Sequence, residues 1–133
     1  MTAEVTYQGG LRTVCNHLKS GDRFITDAPT DNNGKGEAFS PTDTVATALA
    51  SCMLTIMGIK ADSLGIDLKG SLAQVEKTMT TNPRRISKIT INIFVPGIVE
   101  EHNKKILENS ANNCPVHHSL HPDIKKEVTF HWK

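Results

Sequence analysis

Cys52 and Cys114 are the residues of this chain most able to do chemistry, because their surroundings differ so sharply. Cys52 lies in Ala46-Thr47-Ala48-Leu49-Ala50-Ser51-Cys52-Met53-Leu54-Thr55-Ile56-Met57, a run of small and apolar residues with a helical look. Cys114 opens Asn113-Cys114-Pro115-Val116-His117-His118, where a proline suited to the first helical position follows the cysteine. One thiol reads as packed on a rigid helix and the other as a helix cap at the end of a loop. Such a pair points to thiol redox chemistry more than to a structural bridge. Three cysteines, an odd number, also fit a reducing, cytoplasmic compartment better than an exported disulfide framework.

Plainer readings exist for each residue. Cysteine on an apolar helix is often just a small core residue, and Cys15, on a predicted strand, reads as a bystander. Cys114, His117 or His118, and His121 follow at helical spacing and could offer three ligands to zinc. Pro122 cuts that helix short and no matching Cys/His pair stands nearby, so the expectation is no metal and no cofactor.

The elements that must position these thiols are legible in outline. Val5 and Tyr7 alternate with polar residues before Gly9-Gly10, Leu11 to Leu18 forms a second stretch, and Lys19-Ser20-Gly21-Asp22 turns the chain into Phe24-Ile25-Thr26. A polar loop from Asp27 to Gly36 leads to the helix. Ser40 as N-cap, Pro41 at the first position and Asp43 in a Ser-x-x-Asp box start a helix expected over residues 41–64, about 35 Å long, with Gly65 as its stop. Val45, Leu49, Cys52 and Ile56 define one face, and the alanines and methionines between them predict burial nearly all round.

Leu68 to Met79 reads as a weaker strand with a bulge at Gly70, and Ile89, Ile91, Ile93 and Val95 alternate as a firm one. An amphipathic helix with Val99, Ile106, Leu107 and Ala111 inward follows, then a helical turn from Pro115 to Leu120. A last strand carries Val128, Phe130 and Trp132. The expected order is βββ-α-ββ-α-α-β, an α+β fold in a single domain spanning residues 1–133.

Composition removes several function classes. Fifteen Lys+Arg balance 14 Asp+Glu and aromatics make up 5%, so neither charge nor stacking favours nucleic acid. No apolar run is expected to reach membrane-spanning length, and the N-terminal residues lack the pattern of a signal peptide.

With Phe39-Ser40-Pro41-Thr42-Asp43, the alanine-rich helix through Cys52-Met53, the Val95-Pro96-Gly97-Ile98 turn and Asn113-Cys114-Pro115-Val116 in place, the chain resembles the family of osmotically inducible protein C and organic hydroperoxide resistance protein. The resemblance implies an intertwined homodimer of α+β fold with two active sites at the subunit interface. It implies a thiol-dependent peroxidase that reduces organic hydroperoxides to alcohols. Cys52 would be the peroxidatic thiol, Cys114 the resolving thiol, and an external dithiol the reductant.

A cysteine about three turns into a helix gains little from the helix dipole, so such a thiol needs a cation beside it. The family supplies an arginine from before the helix, oriented by a glutamate just after the proline that starts it. Arg12 is the expected cation, ahead of Arg23. Thr42 stands where that glutamate would be, and Asp43 is the nearest acid. The apolar residues flanking Cys52 (Leu49, Met53, Ile56 and Met57) favour organic over hydrogen peroxide. The alternative from another class is a non-catalytic module that binds an apolar ligand at the dimer interface.

Overall fold

The computed structural model describes all residues, Met1–Lys133, and their contacts divide the chain into two compact units, Met1–Val45 and Ala46–Lys133. In the first, β1 (Ala3–Gly9), β2 (Arg12–His17) and β3 (Arg23–Asp27) form an antiparallel meander in that order. Gly9, Gly10 and Leu11 all take positive φ at the β1–β2 turn, a conformation that suits glycine and strains leucine. The register of β2 on β3 sets Arg12 directly opposite Asp27 and Cys15 opposite Phe24. A loop with one 3-10 turn, Thr30–Asn32, then leads to Ser40.

The residues of this first unit that are fully buried are Thr26, Asp27 and Ser40, all polar. Val5 and Tyr7 of β1 are 65% and 64% exposed, and Phe24 is exposed beside them.

Helix α1 (Pro41–Ser63) begins with the expected capping box: the Ser40 backbone N–H donates to the Asp43 carboxylate and the Asp43 N–H to the Ser40 hydroxyl, each at 3.0 Å. It ends in a Schellman motif, with Ile66 N–H on the Ala61 carbonyl, Gly65 N–H on that of Asp62, and Gly65 at φ +71°. The buried stripe is Ala46, Leu49, Ala50, Met53, Met57 and Ala61, while Val45, Thr47, Ala48, Ser51, Thr55 and Ile59 are exposed. Burial on all sides is therefore not found in the single chain. The inward face is rotated from the expected one, leaving Cys52 and Ile56 half-buried at its border. By length and composition α1 could cross a membrane, against the expectation that no stretch reaches that length. The core helix of a soluble protein meets the same test, and the α1 stripe packs in the core of the second unit.

That core forms on a three-stranded sheet of β4 (Leu72–Thr80), β5 (Arg85–Val95) and β6 (Lys125–Trp132). β5 is central, antiparallel to β4 and parallel to β6. The parallel pairing requires a crossover, which α2 (Glu101–Ala111) and α3 (Pro115–Ser119) supply. Ile86, Ile89, Ile91, Ile93 and Val95 of β5 are buried and cluster with the α1 stripe and with Leu107 and Ala111 of α2. Each such aliphatic side chain contributes roughly 1.5–3 kcal/mol on burial. The strand expected from Leu68 begins at Leu72. Gly70 is no bulge: it sits at φ +90° in a turn closed by Ser71 N–H on the Leu68 carbonyl, and the ladder's irregularity falls at Thr78/Met79. The element order is otherwise the expected one.

Candidate active site

Cys114 caps α3. Its backbone is extended (φ −74°, ψ 153°), Pro115 takes the first helical position, and the Cys114 sulfur accepts the His117 backbone N–H at 3.4 Å. The sulfur fills the role that a serine or aspartate oxygen fills at other helix starts. The residue is fully buried, at 0% exposure, in the core cluster against which the half-buried Cys52 packs. Both are free thiols.

Burial pushes the Cys114 thiol above its ordinary range, the His117 N–H pulls it down, and Cys52 adds to the upward push through a hydrogen bond and through its charge. Cys114 therefore stays protonated at neutral pH and sheltered from solvent. Cys52 is the thiol that a molecule arriving from solvent meets first. The two thiols thus share one core cluster but differ in exposure, as a two-step oxidation requires.

The histidines after Cys114 do not form a metal centre. α3 stops at Ser119 and Leu120 is extended (φ −76°, ψ 151°), so His121 leaves the helical face that its spacing implied. Its Nδ1 accepts the Asp123 N–H at 3.0 Å instead. No group of three His, Cys, Asp or Glu side chains is placed to hold a metal ion. His117 and His118 meet edge to face, with centroids 5.5 Å apart. Burial first, then the Lys126 ammonium and His118, hold His117 below its usual range, so its imidazole is neutral at pH 7.

Within the first unit, Arg12 is engaged by a carboxylate that the sequence reading missed. Its Nε donates to Asp27 Oδ1 at 2.7 Å and its Nη2 to Asp27 Oδ2 at 2.8 Å, a side-on bidentate pair between directly opposed strand residues. Asp27 is 1% exposed, whereas a third of the Arg12 side chain remains accessible. The Glu37 backbone N–H adds a third hydrogen bond to Asp27 at 3.2 Å. The Arg12 hydrogen bond, above all, holds Asp27 below the usual carboxylate range against the effect of burial.

Asp43 is committed to the Ser40 N–H at the start of α1, and the Thr42 hydroxyl lies 3.2 Å from that of Ser40. Asp43 thus has the capping role its position predicted. Placing Asp27 at the start of the polar loop, when it is the last residue of β3, hid its pairing. The signal was nonetheless present, because a hairpin turning at Lys19–Ser20 puts residues whose numbers sum to 39 opposite one another, Arg12 and Asp27 among them.

Residues 34–129 match the model of the family described as OsmC-like protein. The chain belongs to the OsmC-like family. A crystal structure of another OsmC-like chain, a Psychrobacter arcticus 273-4 protein provisionally described as an osmotic stress induced and detoxification response protein, is 53% identical. It superposes with a TM-score of 0.96 over 98% of this chain and 96% of that one.

The OsmC-like fold recurs at low identity in the organic hydroperoxide resistance protein OsmC of Legionella pneumophila (16% identity, TM-score 0.77, 98% of this chain and 97% of that one). It recurs again in a Vibrio cholerae O1 biovar eltor str. N16961 protein provisionally described as an organic hydroperoxide resistance protein, with captopril bound in one of its active sites. That chain is 17% identical with a TM-score of 0.72, over 98% of this chain and 91% of the other. At those identities only the fold is common ground. No curated protein sequence matches the chain.

Proposed function

We propose that this OsmC-like protein is a thiol-dependent peroxidase that reduces organic hydroperoxides to alcohols. The observation that carries the reading is a half-buried Cys52 packed against the core cluster that holds the fully buried Cys114. The Cys52 thiolate attacks the distal oxygen of ROOH, the O–O bond breaks, and ROH leaves with one proton. Cys52 is then a sulfenic acid. The Cys114 sulfur displaces its hydroxyl as water and a Cys52–Cys114 disulfide forms. An external dithiol reopens it by exchange, restoring both thiols and leaving oxidised as a disulfide itself.

Arg12 is the cation assigned to stabilise the Cys52 thiolate, following the family resemblance. Asp43, offered with it, is retained only as the residue that builds the start of the Cys52 helix. The names of the Legionella and Vibrio relatives favour a hydroperoxide substrate, and the apolar neighbours of Cys52 favour an organic one. The chain works as one OsmC-like domain in a compartment that keeps thiols reduced, the cytoplasm.

We also propose that it acts as a homodimer. The first unit buries no apolar side chain of its own while Val5, Tyr7 and Phe24 stand exposed on one face of its sheet. A 45-residue segment of that kind gains stability only when another surface covers it. Sedimentation at micromolar concentration should give twice the chain mass, and a monomer would overturn this part of the reading.

The deciding experiment is mass analysis of reduced protein after one equivalent of an organic hydroperoxide. Rapid loss of two hydrogens with Cys52 linked to Cys114 is expected. Thiols that oxidise no faster than in unfolded protein would leave a non-catalytic apolar-ligand module as the function.

A further inference from the structure

The face of the β4–β5–β6 sheet turned away from the core is polar over three successive rows. Thr78–Lys88–Lys125, Glu76–Thr90–Glu127 and Gln74–Asn92–Thr129 stand opposite one another across the strands. The next row, at the end of the sheet, is Leu72–Phe94–His131. Leu72 and Phe94 are 55% and 37% exposed, on the side opposite the buried isoleucines of β5. Neither the core nor the proposed reaction gives this apolar row a task.

The row is ordered. Phe94 and His131 stack with centroids 4.4 Å apart and planes 10° from parallel. The His131 Nε2–H donates to the Asn92 side-chain oxygen at 2.9 Å, which holds the imidazole plane. A groove of about 410 Å³ opens at the same end of the sheet, lined by this pair together with Leu72, Pro96, Trp132 and Lys133. That volume suits a small molecule. Three side chains in one row are too few for a stable protein interface, in which each partner buries about 800 Å².

The chemistry of the lining narrows the ligand. Lys133 brings a positive charge, and no lining residue is acidic. Trp132 keeps a buried indole N–H without a hydrogen-bond partner. A cation and an unused donor beside flat apolar walls call for an anionic acceptor carried on a ring.

We propose that this groove is a binding site for a planar aromatic carboxylate, its ring along the Phe94–His131 stack against Leu72 and Pro96 and its carboxylate at Lys133. Neither Cys52 nor Cys114 lines the groove, so the site stands independently of the peroxidase reading.

The test is titration of the full chain with phenylacetate, read by the emission of Trp132, the chain's single tryptophan. A saturable change in the millimolar range is expected. Cyclohexylacetate keeps the charge without the flat ring, and phenethyl alcohol the ring without the charge. Each should bind about two- to fivefold more weakly. Phe94→Ala should weaken phenylacetate binding about three- to tenfold and Lys133→Gln about two- to fivefold.

Amide NMR shifts of the wild type should cluster at Gly70, Leu72, His131 and Trp132 as phenylacetate is added. Shifts scattered over the surface, or emission that never saturates, overturn the site. Equal affinity for the three probes overturns the aromatic carboxylate as its ligand. If Phe94→Ala does not fold, Phe94→Leu takes its place, keeping apolar bulk without the ring. Weakened binding in that variant and in Lys133→Gln supports the proposal, and wild-type affinity in both overturns it.

Discussion

The Cys114 sulfur accepts the His117 backbone N–H at 3.4 Å, within the core cluster against which Cys52 packs. In the proposed reaction the resolving thiol is thus held by the start of α3, in the cluster on which Cys52 packs, before any oxidation occurs. Cys52→Ser should abolish peroxide-driven consumption of a dithiol, measured with cumene hydroperoxide as substrate. Turnover equal to wild type in that variant would remove Cys52 from the reaction.

Cys114→Ser should behave differently. One equivalent of peroxide should still convert Cys52 to the sulfenic acid, seen as a single added oxygen in the intact mass. Without a neighbouring thiol the product should add further oxygens as peroxide rises. Continued catalytic turnover in this variant would mean that the external thiol, not Cys114, resolves the intermediate.

The raised Cys114 thiol also makes a prediction about stability. Where the folded value lies above the unfolded one, the unfolded chain loses its proton first, so stability falls as pH rises. The contribution is whole below the ordinary thiol value near 9.0 and is lost as pH climbs through the raised value. Urea unfolding of reduced protein should show this decline above about pH 9, and Cys114→Ala should flatten it. An identical slope in that variant would assign the decline to other groups.

Asp27 reverses the sign. Its folded value lies below the unfolded one, so its contribution is whole above about pH 4 and disappears as pH falls through the depressed value. Asp27→Asn should remove that part of the acid dependence, and Arg12→Ala should remove most of it, since the Arg12 hydrogen bond is the largest cause. Acid unfolding curves that superimpose for all three proteins would contradict the pairing.

How much of this was legible depended on whether neighbouring residues differed in chemistry. The isoleucines of β5 alternate with Lys88, Thr90 and Asn92, so strand and buried face could both be read. Ser40, Pro41 and Asp43 spelled out the α1 start, and Cys114-Pro115 the start of α3. Along α1, by contrast, alanine, threonine and cysteine are similar in size and nearly neutral in preference, so periodicity could not tell the Ala46–Leu49–Met53 face from the Val45–Leu49–Cys52 one. Asp27 reads as the start of the polar loop because turn-forming residues follow it closely, and the strand register shows that it faces Arg12.

Two glycines with opposite surroundings offer a final check on the packing. A Cβ at Gly34 would lie 1.7 Å from the Ala28 carbonyl oxygen and 2.1 Å from its carbon, both backbone atoms that cannot swing aside. Gly34→Ala must therefore open the loop that closes through Gly34 N–H on the Pro29 carbonyl and Gly36 N–H on that of Ala28, at a cost of about 1–3 kcal/mol. Because Glu37 and its N–H to Asp27 follow directly, the variant should also loosen the hold on Arg12. Gly58, in the interior of α1, has nothing within 4 Å of an added Cβ. There the methyl group removes backbone freedom from the unfolded chain without a clash, so Gly58→Ala should stabilise by about 0.5–1 kcal/mol. Denaturant titrations of the two variants should move in opposite directions. Equal shifts would mean that residues 28–36 do not pack as closely as this backbone requires.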